Sequence, residues 1–314
     1  LDLASALIEF SDKAFEEVTK HSGPIIARRV QQISVGAIES APTLSLSWRY
    51  RVSSGVGLIK QRIASANGHG LYCRHLEIGY RKTFARLFET IVQNLEHAAD
   101  EASAPLYASV ALTRLRDQPR GIEKHVVTEV DPDTVRIESR YSLLTSSRYG
   151  RLSSVDTIFL RFSRRDGTLI NAVYARSEDG HLVTNLSLDP SGGGWVVSGT
   201  LRGVDFSRTS GGNPVLVSSL GESRALQKAI GGETGSKTIE VRGWYPHVDP
   251  EKPKRRQIIL GQREDMDHFN VISKVGAVVM ESVVDRHGQT TWSRWLDASI
   301  GELETRQLFV EGRL

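Results

Sequence analysis

The chain has 314 residues, of which 39% are hydrophobic and 25% charged, so it can bury one large or two ordinary cores and is too apolar for wholesale disorder. Lys and Arg exceed Asp and Glu by only three, and they are spread along the chain, which argues against the concentrated basic surface of a specific nucleic-acid binder. No stretch approaches the roughly 20 apolar residues of a membrane span. The single cysteine, Cys73, excludes an intrachain disulfide.

Residues 1–104 are predicted to form a helix-rich region with one or two strands. Apolar residues recur at three- and four-residue spacings over 3–20, the pattern of an amphipathic helix. The apolar stretch 25–38 is interpreted as a short second helix. Residues 43–52 alternate as a strand. The side chains expected on one face of this strand are Leu44, Leu46, Trp48 and Tyr50.

The clearest helical pattern covers residues 81–99. Its apolar side chains make one continuous stripe, which includes Phe84, Leu87, Phe88 and Ile91. A stripe this wide must be buried, and we expect a sheet as its partner because strands dominate the rest of the chain.

From residue 105 to 314 we predict an antiparallel β domain with one short helix at 222–230. Short β-branched or aromatic runs recur, and Asp-Gly pairs separate several of them, as in tight hairpins. The predicted strands are 107–115, 123–130, 135–144, 156–162, 169–175, 182–188, 195–201, 214–219, 238–245, 256–261, 270–274, 277–284 and 290–295. The predicted fold class is therefore α+β: a large, curved, mostly antiparallel sheet or half-barrel with helices from the N-terminal third packed on it.

The glycine-rich segment 231–238 is not a nucleotide-binding loop. Such a loop needs Gly directly before the Lys, a strand before it and a helix after it. Here Ser236 precedes Lys237, and the predicted order of helix and strand is reversed. We expect no cofactor.

Two clusters contain potential metal ligands. His69, Cys73 and His75 lack the fourth ligand of a structural zinc site, and the acidic segment 264–268 lacks the glycine and terminal glutamate of a calcium loop. Both are interpreted as structural or solvated residues, so no metal site and no catalytic residue is assigned.

Aromatic side chains on predicted strands can line a ligand cavity or fill a core. Together with the helix 81–99 they form the candidate ligand-binding set. Its members are Phe84, Phe88, Ile91, Trp195, Trp244, Trp292 and Trp295.

Residues 277–308 resemble envelope β-sheet proteins related to the lipoprotein carrier LolA and similar periplasmic domains. The resemblance lies in a late strand, the turn Asp285-Arg286-His287-Gly288 and a following strand that carries Trp292. It implies an envelope protein that cradles a lipid or another apolar partner between a curved sheet and a helix, and it carries over no catalytic residues.

The preferred hypothesis is a non-enzymatic binding protein of the bacterial cell envelope that holds an apolar small molecule, a lipid or a protein partner on a curved sheet. One alternative is an enzyme with dispersed residues centred on Cys73 or on a histidine: His69, His75, His247 or His268. Another is a structural component of an envelope assembly. A cytoplasmic location is the alternative to the envelope.

Overall fold

The computed structural model describes residues 3–38, 41–66, 69–78, 105–115, 118–146, 152–212, 215–232, 237–263, 267–297 and 301–312. Its helices are α1 (Leu3–Ser22) and α2 (Ser219–Ile230). The first strands are β1 (Ala27–Ile38), β2 (Ala41–Val52), β3 (Gly55–Ala66), β4 (His69–Ile78), β5 (Tyr107–Leu115), β6 (Gln118–Glu129), β7 (Thr134–Ser146), β8 (Leu152–Arg164) and β9 (Leu169–Glu178). The remaining strands are β10 (His181–Ser191), β11 (Gly194–Leu201), β12 (Val204–Gly211), β13 (Thr238–Gly243), β14 (Lys254–Arg263), β15 (His268–Val275), β16 (Val278–Asp285), β17 (Thr290–Asp297) and β18 (Gly301–Gly312).

The strands form two antiparallel sheets. Strands β1–β4 make a four-stranded meander, and β5–β18 make one 14-stranded sheet. The large sheet consists of two meanders, β5–β12 and β13–β18, which are joined because β5 pairs with β18. Strands β12 and β13 are therefore its two edges, and the sheet is not closed into a barrel. The predicted large antiparallel sheet is confirmed.

The N-terminal region contains more strand than its sequence predicted. Helix α1 is confirmed, and the predicted face of β2 is buried as a set. The predicted helix in 25–38, however, is wrong, because residues 27–38 form strand β1. A β-bulge shifts its register between Val30 and Gln32, so the apolar positions Val30 and Ile33 are three residues apart. This spacing imitates the helical period.

Two later predictions are wrong or fall outside the described residues. The predicted strand 214–219 is wrong, because among its described residues only Val217 forms a β-bridge, and α2 begins at Ser219. Strands β3, β4, β12 and β18 were not predicted. The predicted helix 81–99 lies outside the described residues. Neither described helix is long and apolar enough to cross a bilayer.

Side chains on β5–β8 alternate between two different environments. Even-numbered residues such as Val110, Ile122 and Leu144 join the core that α1 and the small sheet also form. Odd-numbered residues such as Val127 and Ile137 face the other way and pack near Leu220 of α2. The N-terminal region and the large sheet thus share one hydrophobic core. The division into domains 1–104 and 105–314 stays a prediction.

Helix α2 lies on the inner, concave face of the large sheet. Leu220 packs with residues of β5–β7, whereas Leu226, six residues later, packs with Ile258, Val271 and Val284 of β14–β16. One 12-residue helix can contact both arms only if the sheet curves around it. The face that carries α1 is consequently the outer face.

The N-terminal turn of α1 is held by a buried carboxylate from β8. Asp156 is 3% exposed and accepts hydrogen bonds from the amide of Ser5 at 3.3 Å, from its hydroxyl at 2.6 Å and from Ser142 Oγ at 2.6 Å. The amides of a first helical turn have no partner within the helix, and an anion there also meets the positive end of the helix dipole.

Replacing Asp156 by asparagine should lower the free energy of unfolding by about 1–3 kcal/mol. The asparagine has no negative charge, so its hydrogen bonds are weaker, and its side-chain NH2 group would face hydrogen-bond donors that the carboxylate now accepts from. Urea denaturation measures the loss. Asp189→Asn, the same change at an exposed position of β10, is the control and should change stability by less than about 0.5 kcal/mol. Equal effects of the two changes would show that Asp156 does not anchor α1.

Candidate functional site

The concave face beneath α2 carries a group of polar side chains where an apolar core would be expected. Glu123 and His125 are on β6, Ser139 is on β7 and Arg161 is on β8. All four occupy odd-numbered positions and so face inward. We call these four residues the inner polar cluster. Arg161 is 9% exposed, while Glu123 and His125 are half-buried.

Ser139 is at the centre of the hydrogen bonds in the inner polar cluster. Its Oγ accepts a hydrogen bond from Nη2 of Arg161 at 2.5 Å and lies 2.8 Å from Nδ1 of His125. The Arg161 guanidinium also stacks 4.3 Å from the centre of the Phe159 ring, and the ring of Tyr107 approaches His125 edge-on at 5.9 Å. The cluster is therefore fixed by packing as well as by hydrogen bonds.

Burial is the main electrostatic influence on the cluster. It lowers the pKa of His125 to about 3, with a further contribution from the positive charge of Arg161, and it lowers the pKa of Arg161 to about 10. Burial raises the pKa of Glu123, and Arg161 opposes that shift. At neutral pH the imidazole is uncharged and the guanidinium remains charged. A base with so low a pKa is poorly suited to remove a proton from Ser139 near pH 7.

His125 should make folding sensitive to acid. In the unfolded chain the His125 imidazole binds a proton below about pH 6.5, but in the folded protein it does so only near pH 3. The free energy of unfolding therefore falls as the pH falls through this window. His125→Gln should reduce the loss between pH 6.5 and pH 5 by about 1–2 kcal/mol, measured by urea denaturation at each pH. The raised pKa of Glu123 makes stability depend on pH in the opposite direction. Because the wild type and the variant share this effect, the difference between their pH profiles reports on His125.

His181→Gln serves as the matched control, because His181 is exposed on β10. This variant should keep the wild-type dependence of stability on pH. A His125→Gln protein that loses stability in acid as steeply as the wild type would refute the buried, neutral state of His125.

A second set of inward-facing groups attaches α2 to the other arm of the sheet. Glu222 of α2 accepts hydrogen bonds from the Tyr245 hydroxyl at 2.5 Å and from Arg256 Nη1 at 2.7 Å, through different oxygens. Arg256 also donates to Ser273 Oγ at 3.0 Å. Burial, followed by the charge of Glu222, raises the pKa of Tyr245, so its hydroxyl stays protonated and donates. We call Glu222, Tyr245 and Arg256 the helix clamp.

A row of buried hydroxyl groups crosses the seam between the two meanders. Thr113 pairs with Thr305, Thr305 with Ser293 and Ser293 with Ser282, on four adjacent strands. All four are at most 8% exposed. In the described part of the chain the hydroxyls of Thr113, Thr305 and Ser282 have no hydrogen-bond partner. Buried polar groups are normally satisfied, so water or a ligand is the expected partner.

The structure brings two of the predicted ligand-binding tryptophans together. Trp195 of β11 and Trp244, which follows β13, belong to one buried cluster with Tyr174, Leu186 and Leu216. Phe159 contacts this cluster, 5.7 Å from Trp244 between ring centres. Because Phe159 also stacks on Arg161, the aromatic cluster adjoins the inner polar cluster.

The other predicted residues are not part of this group. Trp292 and Trp295 are three positions apart on β17 and project from opposite faces of the sheet. Trp295 pairs with Leu303 on the inner face, whereas Trp292 lies outside, where its Nε1 donates to Glu304 at 3.0 Å. Phe84, Phe88 and Ile91 lie outside the described residues.

A cleft of about 370 Å³ opens near one edge of the sheet. It lies between the turn that joins β11 to β12, with Leu201 and Val204, and the segment before β14, with Val248 and Pro250. An ion pair between Arg208 and Glu251 links the same two segments. Strand β12 therefore lies against the chain that leads out of β13, although the two edge strands do not pair.

The residues of the enzyme hypothesis are on three parts of the chain. His69, Cys73 and His75 are on β4, His247 follows β13, and His268 begins β15. Burial raises the pKa of the Cys73 thiol, which disfavours the reactive thiolate. Among the residues that the structure describes, no group of three or more His, Cys, Asp or Glu side chains could hold a metal ion.

Sequence reasoning missed the inner polar cluster. Its members come from three strands and are up to 38 positions apart, from Glu123 to Arg161. A signal was nonetheless present: Glu123 and His125 share one strand face with the apolar residue Val127, which is unusual for a face that packs on a core.

The fold defines a class of open, β-barrel-like antiparallel sheets. It is similar to the crystal structure of a "Beta-barrel-like Protein of Domain of Unknown Function DUF1849" from Brucella abortus, with a TM-score of 0.50 and 11% identity over 66% of this chain and 97% of that one. A DUF1089 family protein from Pseudomonas aeruginosa matches with a TM-score of 0.29 and 17% identity over 63% of this chain and 95% of that one. No family model and no curated protein matches the sequence.

Proposed function

We propose that the protein is a non-enzymatic binding protein that holds a ligand on the concave face of its large sheet, beneath α2. The observation that carries this proposal is the inner polar cluster: four polar side chains, of which His125 and Arg161 hydrogen-bond to Ser139, occupy the inner face of a curved sheet where an apolar core would be expected. A few convergent polar groups on a concave surface are typical of a ligand site.

The surroundings favour an elongated ligand with both polar and apolar parts. The inner polar cluster adjoins the aromatic cluster of Trp195, Trp244 and Phe159, so a molecule bound there would meet polar groups at one end and aromatic rings at the other. This refines the apolar ligand expected from the sequence. The resemblance of residues 277–308 to carriers related to LolA supports the same class of ligand.

The chemistry of the site favours binding over catalysis. His125 and Ser139 are in hydrogen-bond contact, as in a nucleophile and its base, but the low pKa of His125 removes the driving force for proton transfer. Arg161 moreover donates to the same hydroxyl and would weaken its nucleophilicity.

Native mass spectrometry of the purified protein, followed by organic extraction, tests the proposal. We expect a co-purifying molecule or, after removal of lipids, a 1:1 complex with a ten-carbon amphiphile that raises Tm. Ligand binding must stabilise the folded state by mass action. The absence of both a co-purifying ligand and any stabilisation by amphiphiles would contradict the proposal.

We further propose the bacterial cell envelope as the location. Fractionation of the native host with antibodies against this chain tests it, and recovery with cytoplasmic markers would contradict it. A protein partner is the alternative occupant of the concave face; in that case amphiphiles would not stabilise the protein.

A further inference from the structure

Arg161 is a buried guanidinium with unused hydrogen-bonding capacity. Its Nη2 donates to Ser139, but its buried Nε has no hydrogen-bond partner in the described part of the chain. Glu123 and Glu222 influence Arg161 electrostatically, yet neither forms a direct ion pair with it within 4.0 Å. A buried charge without a close counter-ion is costly, so a further partner is expected.

Arg256 is a second inward-facing arginine with a different set of partners. Arg256 faces the same interior, but it is paired with Glu222 at 2.7 Å and with Ser273 at 3.0 Å. Glu222 accepts through its other oxygen from Tyr245, so both of its oxygens are occupied within the helix clamp. The Nε of Arg256 also lacks a hydrogen-bond partner in the described part of the chain, so the difference between the two arginines is the ion pair: Arg256 has a carboxylate partner at 2.7 Å, and Arg161 has none within 4.0 Å.

The geometry around Arg161 leaves room for an anionic partner, because Ser139 is the one side chain that accepts a hydrogen bond from it among the described residues and its contact with Phe159 is with an aromatic ring. Planar guanidinium donors match the oxygens of carboxylates and phosphates. The Phe159 ring covers one face of the guanidinium and leaves its edge for such contacts.

We propose that Arg161 binds the anionic group, a carboxylate or a phosphate, of the ligand held on the concave face. The inference rests on the proposed function and adds the charge of the ligand to it. The hydroxyls of the seam, Thr113, Thr305 and Ser282, offer additional unpartnered donors on the same inner face.

Isothermal titration calorimetry with three kinds of probe tests the proposal on the wild-type protein: decanoate, decanol, and acetate or inorganic phosphate. We expect decanoate to bind about 10- to 100-fold more tightly than decanol, the factor that charge-assisted hydrogen bonds typically contribute.

Equal binding of decanoate and decanol would overturn the anion site and leave the proposed function intact. If neither binds, the proposed function fails. Acetate or phosphate that binds as tightly as decanoate would support the anion site but contradict an amphiphilic ligand.

Arg161→Gln should remove the preference for decanoate over decanol. Arg164→Gln, the same change at an exposed position of β8, should keep it. Circular dichroism and thermal melting verify that both variants are folded. If Arg161→Gln is not folded, the comparison of decanoate with decanol on the wild-type protein still decides. A folded Arg161→Gln protein that still prefers decanoate by the wild-type factor would overturn the role of Arg161.

Discussion

Replacing Gly288 by alanine should destabilise the protein by about 2–4 kcal/mol, because the added methyl group would collide with α2. Gly288 is in the turn between β16 and β17 at a φ of +74°, where an L-residue is strained. A Cβ atom there would lie 2.5 Å from the carbonyl oxygen of Ser223 and 3.2 Å from Cβ of Leu226. Strain and overpacking each cost about 1–3 kcal/mol. Urea denaturation measures the sum.

Gly203→Ala separates the two contributions. Gly203 has nearly the same φ, +79°, in the turn between β11 and β12, but a Cβ atom at this position would meet no atom of the described residues within 4 Å. The variant should lose only the strain, about 1–2 kcal/mol. Equal losses at the two glycines would mean that α2 does not pack against the turn that holds Gly288, and the concave face would then be organised differently.

Leu144→Ala should cost about 2–5 kcal/mol, the usual range for removing a large side chain from a packed core. Leu144 is fully buried on the outer face of β7, in the core that α1 and the small sheet share with the large sheet. Because the core is shared, the variant should unfold in one transition, shifted as a whole to lower urea concentration.

Leu182→Ala is the matched change at a position that is 59% exposed, and it should shift the transition little. Two separate transitions in the Leu144→Ala protein, with only one of them shifted, would contradict the shared core. In that case the N-terminal region and the large sheet would fold independently.

Local sequence patterns predicted the fold where side chains alternate regularly. Strand β7 carries Val135, Ile137, Tyr141 and Leu143 on one face, and Asp-Gly turns mark both ends of β9. The alternation of apolar residues failed to predict a strand where a bulge, an exposed sheet edge or a buried polar residue interrupts it. In β1 a bulge changes the spacing, and β12 is an edge strand with mostly exposed side chains. In β3 the buried position of Gln61 holds a polar residue, which bonds to Ser11 and Tyr72.

The candidate site was predictable only in part. Single tryptophans could be identified as core or cavity residues, and Trp195 and Trp244 do meet. Their meeting depends on the curvature of 14 strands, which no local pattern encodes. The inner polar cluster depends on the register of β6, β7 and β8, because only the register places Ser139 beside His125 and within reach of Arg161.

The central claim, a ligand held on the concave face, is tested most directly by quenching tryptophan fluorescence with a brominated decanoate. Trp195 and Trp244 belong to one cluster on the inner side, next to Phe159, whereas Trp292 lies outside. We predict that the bound ligand quenches the wild-type emission, that the double variant Trp195→Phe/Trp244→Phe loses most of the quenchable emission, and that Trp292→Phe keeps it. Quenching that disappears with Trp292→Phe and persists in the double variant would place the ligand on the outer face and contradict the account.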